Sequence, residues 1–111
     1  MNDLGMSEKV KWRGNSGKIY LYKIHKIGTK FRKIPANYII AQESGMHRWK
    51  PIYIGQTDDL SQDFEAHQNM PCIRENEATH ILVHRNETGK RARLMEEADL
   101  INKWHPVCNI R

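Results

Sequence analysis

Apolar and polar positions along this chain fall into several short runs and one longer period. Lys18–Ile24 (KIYLYKI) and Ala36–Ala41 (ANYIIA) are rich in β-branched and aromatic residues and predict strands, as do Pro51–Gly55 (PIYIG) and Ala78–His84 (ATHILVH). Gly28-Thr29 opens a loop after the first, and Gln42–Lys50, with Gly45 and polar neighbours, joins the second to the third as a hairpin. Gly55 is expected to turn the chain sharply, because a residue without Cβ adopts dihedrals that others avoid. Thr57, Asp58 and Asp59 follow, and their oxygens suit the N–H groups and positive end of a helix's first turn. Pro51–His67 therefore reads as strand, turn, helix, and Asn69–Glu77 as a loop.

The longest helical pattern is Lys90–Lys103, stopped by Pro106. At about 100° per residue, Leu94, Ala98 and Ile101 form an apolar stripe that Leu100 and Trp104 widen, while Glu96 and Asp99 point away. Glu97 falls between the directions of Ile101 and Trp104. A carboxylate in an apolar sector loses hydration and requires a partner. Arg93, one turn earlier, offers an i,i+4 ion pair; a divalent cation such as Mg²⁺ is the other choice, and the residue pattern leaves both open.

At 111 residues and 39% hydrophobic content, the chain suits one modest core. The expected organisation is a loose arm over residues 1–16 and a single domain over 17–111. No apolar run is long enough to span a membrane and MNDLGMSEKVKW lacks a signal-like stretch, so a cytoplasmic protein is expected. Cys72 and Cys108 are too few for a disulfide scaffold, which favours reduced thiols. With His67 and His105 they also offer zinc-ligand types, at spacings unlike those of a usual finger.

The net charge of +5 is unevenly spread: residues 1–50 hold 11 Lys/Arg against 3 Asp/Glu, and the remainder 7 against 10. Lys18, Lys23, Lys26, Lys30, Arg32 and Lys33 interleave with Tyr20, Tyr22 and Phe31. Cations beside aromatic rings suit a phosphate backbone with exposed bases, so these six are the candidate nucleic-acid contacts.

Tyr53-Ile54-Gly55-Gln56-Thr57, followed by Asp59-Leu60 and Phe64-x-x-His67, resembles the second half-motif and first helix of the GIY-YIG nuclease superfamily. Glu97-x-x-Leu100-Ile101 and Pro106-x-Cys108-Asn109 are similar to that family's metal-binding glutamate and closing asparagine, so the resemblance spans about residues 36–109. Two tyrosines compete for the first half-motif: Tyr20 leaves 32 residues before Tyr53 and Tyr38 leaves 14, a hairpin-sized gap nearer the family's spacing, which selects Tyr38. Ala36 and Asn37 then stand where the family has glycine and isoleucine.

The resemblance implies a small, mainly antiparallel α/β (α+β) domain flanked by helices, with an added N-terminal strand. Its implied activity is metal-dependent hydrolysis of DNA phosphodiesters. Glu97 would hold Mg²⁺, Tyr38, Tyr53 and His67 would supply the proton-handling groups, and Asn109 would orient the site. Asp63 stands eight residues after Gly55, where the family has an arginine. That reversal of charge at a phosphate clamp raises the alternative of a nucleic-acid-binding or interaction module that keeps the fold without turnover.

Overall fold

The computed structural model describes residues 8–62 and 70–109. Five strands are present: β1 (Lys9–Arg13), β2 (Ile19–Lys26), β3 (Ala36–Glu43), β4 (Trp49–Thr57) and β5 (His80–Arg85). All four pairings are antiparallel and the order is β1-β2-β5-β3-β4, so β4 and β1 are the two edges. Helices α1 (Pro71–Glu75) and α2 (Lys90–Trp104) and a 3-10 turn, Val107–Asn109, complete the α+β architecture. No helix among the described residues is long and apolar enough to cross a membrane.

Strand alternation divides the core into two layers. On one face, Ala36, Tyr38, Ile40, Ile52, Ile81 and Val83 pack with Leu60 and Ile73, which come from the helical residues 60–62 and from α1. On the other, Trp12, Tyr20, Tyr22, Ile39, Ala41, Ile54 and Leu82 pack with Leu100 of α2. Because β3 lies between two strands and under both layers, Ala36–Ala41 is buried throughout, which explains its unbroken apolar run.

Four local expectations are corrected. Residues 9–13 of the expected arm form β1, where Trp12 packs edge-to-face on Trp104 with ring centroids 5.2 Å apart and the Trp104 indole N–H donates to the Arg13 carbonyl at 2.9 Å. Within the expected loop Asn69–Glu77, Pro71 at the first turn helps start α1. Gly55 does not turn the chain, since β4 continues to Thr57. A Cβ there would instead lie 2.7 Å from the Tyr38 ring, so the glycine makes room for that ring on the facing strand. Lastly, Cys72 and Cys108 form a disulfide rather than two thiols: the fold brings their Cα atoms to 5.9 Å, which cysteine count cannot reveal.

The apolar stripe assigned to α2 is also corrected. Its buried residues are Arg93, Glu96 and Leu100, spaced i, i+3, i+7, whereas Leu94 and Ala98 are exposed. The helix lies on a partly polar layer, and its inward face is selected by hydrogen bonds as well as by apolar contact. Asp99 turns inward too: it accepts from the Ser16 N–H at 2.8 Å, the Ser16 hydroxyl at 2.7 Å and the Tyr20 hydroxyl at 2.8 Å. Gly14 admits it, because a Cβ there would sit 2.1 Å from Asp99 Oδ2. Burial pushes this carboxyl up, but the donors outweigh it and hold it below the usual range.

Candidate functional site

Asp59 Oδ1 accepts from the Ser61 N–H at 3.0 Å, and Thr57 Oγ1 accepts from the Asp59 N–H at 3.0 Å. This is the expected capping of the turn after β4. Asp58 does something different: its carboxylate pairs with the Arg93 guanidinium. Asp63 and His67 lie outside the described residues, so the motif-arginine position and the candidate histidine have no geometry here.

Tyr38 and Tyr53 come together around Gly55, their ring centroids 6.2 Å apart. Tyr38 is fully buried and Tyr53 half-buried, both against the core layer opposite α2. Asn109 holds the same strand at its outer edge: its Oδ1 accepts from the Ile54 N–H at 2.8 Å and its Nδ2 donates to the Ile54 carbonyl at 2.9 Å. Its side-chain amide thereby continues the ladder where β4 has no neighbouring strand. The adjacent Cys108 bridge ties this turn to α1, where the Asn76 side chain also donates to the Cys72 carbonyl at 2.8 Å. Both sulfurs are consumed by the bridge, which removes the zinc set of His67, Cys72, His105 and Cys108. His105 is exposed at the left-handed C-cap of α2.

Glu97 lies across the sheet from Tyr38 and Tyr53, on the helix that packs chiefly on β4. One turn before it, Arg93 donates through Nε to Gln56 Oε1 at 3.1 Å; one turn after it, Ile101 joins the layer containing Ile54. Gln56 is thus occupied in holding α2 on the end of β4. Arg93 also donates to the Asn86 carbonyl at 3.2 Å, so the expected Arg93–Glu97 pair is replaced by contacts across to β4 and β5. Among the described residues, Glu97 makes no hydrogen bond or ion pair. It is half-buried, and desolvation pushes its carboxyl above the usual range.

Sequence reasoning missed the polar centre beneath α2. Glu96, expected to point away, is buried; it accepts from the Tyr22 hydroxyl at 2.5 Å and lies 2.8 Å from His84 Nδ1. Asn86 donates to it at 3.4 Å and to Asn37 Oδ1 at 3.0 Å, while Asn37 Nδ2 donates to the Arg93 carbonyl at 2.9 Å. Burial and the neighbouring Glu96 carboxylate push the Tyr22 hydroxyl well above its ordinary range. Asn37, where the family pattern has an apolar residue, is therefore a member of this network. The available signal was the i, i+3, i+7 spacing of Arg93, Glu96 and Leu100, matched to inward-facing polar residues on β2, β3 and β5.

The six candidate nucleic-acid residues do not form one group. Lys23 lies on the sheet face away from α2; Lys26 alternates to the other, as does Lys18, whose ammonium lies 5.6 Å from the Tyr20 ring centroid. Lys30, Arg32 and Lys33 are exposed on the loop between β2 and β3. Tyr20 and Tyr22 point into the core, and Phe31 packs edge-to-face on His25 at 5.1 Å, so these rings are not an open stacking surface.

Among the described residues no three His, Cys, Asp or Glu side chains gather, so a metal at Glu97 would take one carboxylate and complete its shell with water and phosphate oxygens, as Mg²⁺ commonly does. Comparison of the chain with protein-family models, with curated proteins and with solved structures returns no match.

Proposed function

We propose that this chain is a GIY-YIG-type endonuclease that hydrolyses DNA phosphodiester bonds with Mg²⁺ beside its edge strand β4. The observation that carries the reading is Glu97: a half-buried carboxylate, desolvated and without a partner among the described residues, beside a strand bearing the tyrosine–glycine half-motif. Keeping such a group unpaired costs stability, which a bound cation would offset.

Within this reading Glu97 would hold the ion, which would supply Lewis acidity when bound. Tyr53, half-buried on the face of β4 away from α2, is the tyrosine this reading assigns to the attacking water. The buried Tyr38 positions Gly55 and Tyr53, and Asn109 fixes the Ile54 backbone that carries them. Arg93 and Gln56 are positioning residues that set the helix against the strand.

The test is Mg²⁺-dependent nicking of supercoiled plasmid by the parent and by Glu97→Gln. The proposal expects cutting by the parent and none by the variant. DNA binding without cutting by the parent would instead support the binding module that Asp63 suggests, and equal cutting by both proteins would remove Glu97 from the site.

A further inference from the structure

We propose that the outer face of the β1–β2 hairpin is a docking surface for the phosphate backbone of duplex nucleic acid. The inference rests on the nucleic-acid reading above and deepens it by naming a surface at the sheet edge opposite β4. The register sets Lys9 opposite Lys23, Lys11 opposite Leu21 and Arg13 opposite Ile19. Directly opposed residues, and residues two apart on one strand, share a face. These six side chains therefore form a single surface, and all six are exposed. The intervening Val10, Trp12, Tyr20 and Tyr22 turn to the layer beneath α2.

Further positive charge lies on the loop between β2 and β3. Two residues beyond Lys23, His25 packs on Phe31 of the loop between β2 and β3, and Ile27, Phe31 and Ile34 lie against the core layer on this side of the sheet. Lys30, Arg32 and Lys33 are exposed on that same loop. No Asp or Glu occurs within β1 or β2; Glu8, one position before Lys9, falls on the opposite side by alternation.

Lysines on an edge strand also discourage unwanted strand pairing, which would account for Lys9 and Lys11. It does not account for Lys23 on the interior strand β2, nor for Ile19 and Leu21, each 47% exposed beside Arg13 and Lys11 and sharing a lining with Arg85 and Glu87 on the β5 side. Exposed apolar side chains beside a row of cations fit a polyanion that also presents sugar surface. With the aromatic rings turned inward, the face lacks the stacking platform that single strands use, so the partner is a duplex held through its backbone with little sequence preference.

The experiment is fluorescence anisotropy with a labelled 20-base-pair duplex, in EDTA so that nothing is cut, over a salt series. Lys9→Gln/Lys11→Gln/Lys23→Gln is compared with the parent and with Lys103→Gln, an exposed cation on α2 across the sheet, after circular dichroism shows equal folding. Arg13 is kept, because its side chain supports the Gly17 carbonyl at 3.1 Å. Losing three phosphate contacts should weaken binding at least about tenfold at low salt and reduce the slope of log affinity against log salt by about 3. Lys103→Gln should bind as the parent does. Parental affinity and slope in the triple variant would overturn the surface, as would a parent that binds phosphatidylserine vesicles but no duplex and a triple variant that loses the vesicle binding. The nuclease reading fails separately, through the absence of Mg²⁺-dependent cutting in a parent that binds duplex.

Discussion

Glu96 and Glu97 leave α2 one residue apart and enter two differently built regions: the polar layer under β2 and β5, and the side of the helix that carries Arg93 and Ile101. In the first, Tyr22, Asn86 and His84 surround the carboxylate at 2.5, 3.4 and 2.8 Å. In the second, Glu97 meets desolvation and no partner among the described residues. A step of about 100° around a helix is enough to separate a carboxylate that holds the fold from one whose cost the fold tolerates. The two regions also close differently, one through a hydrogen-bond network and the other through the Cys72–Cys108 bridge and the Asn109 amide on Ile54.

The largest way to break this contrast is on the β4 side. Replacing both Cys72 and Cys108 by Ser removes a link across 36 residues and should cost about 2–4 kcal/mol in chemical denaturation. The bridge ends beside Asn109, so the Ile54 amide should also lose hydrogen-exchange protection. On the other side, Glu96→Ala leaves the buried Tyr22 hydroxyl and His84 Nδ1 without their acceptor, at a cost of about 2–3 kcal/mol. Its signature is a loss concentrated in β2 and β5, read by amide exchange, with Ile54 protection unchanged.

Gly55→Ala should cost about 1–3 kcal/mol, because the new methyl must displace the Tyr38 ring inside a packed layer. The cost should shrink when Tyr38→Leu is already present, so the double variant is less destabilised than the two single effects added together. Strict additivity would mean that the contact with Tyr38 is not the reason for glycine at this position.

These residues show why the sequence was only partly legible. Alternation and turn residues recovered the locations of β2 to β5 and the extent of α2, because period and propensity are local properties. The hairpin gap also selected Tyr38, which the structure places against Gly55. What escaped depended on contacts distant in sequence: the bridge across 36 residues, the Trp12–Trp104 contact that draws residues 9–13 into the sheet, and Arg93 reaching Asp58 rather than Glu97. The inward face of α2 was misread for a related reason. Counting apolar residues alone favours Leu94 and Ala98, whereas Arg93 and Glu96 can be buried once polar partners wait on β2, β4 and β5.

The smallest stability effect belongs to Glu97, and its sign is distinctive. Desolvation raises this carboxyl in the folded chain, so the folded state holds its proton more tightly than the unfolded chain does. Its contribution is therefore most favourable in acid and falls as pH rises through the ordinary carboxyl range to the raised value. Without metal, Glu97→Gln should melt slightly above the parent at neutral pH, and the difference should disappear in acid. Added Mg²⁺ should reverse the order at neutral pH by stabilising only the parent. Thermal melts at pH 3.5 and pH 7, with and without Mg²⁺, check both signs.

The division between the two carboxylates is tested most directly by Mn²⁺-induced paramagnetic broadening in ¹H–¹⁵N spectra of the parent, Glu96→Gln and Glu97→Gln. Broadening should centre on Glu97 and neighbouring β4 amides in the parent, persist in Glu96→Gln, and vanish from that region in Glu97→Gln. Broadening centred on Tyr22, His84 and Glu96, or an unchanged pattern in Glu97→Gln, would contradict the account.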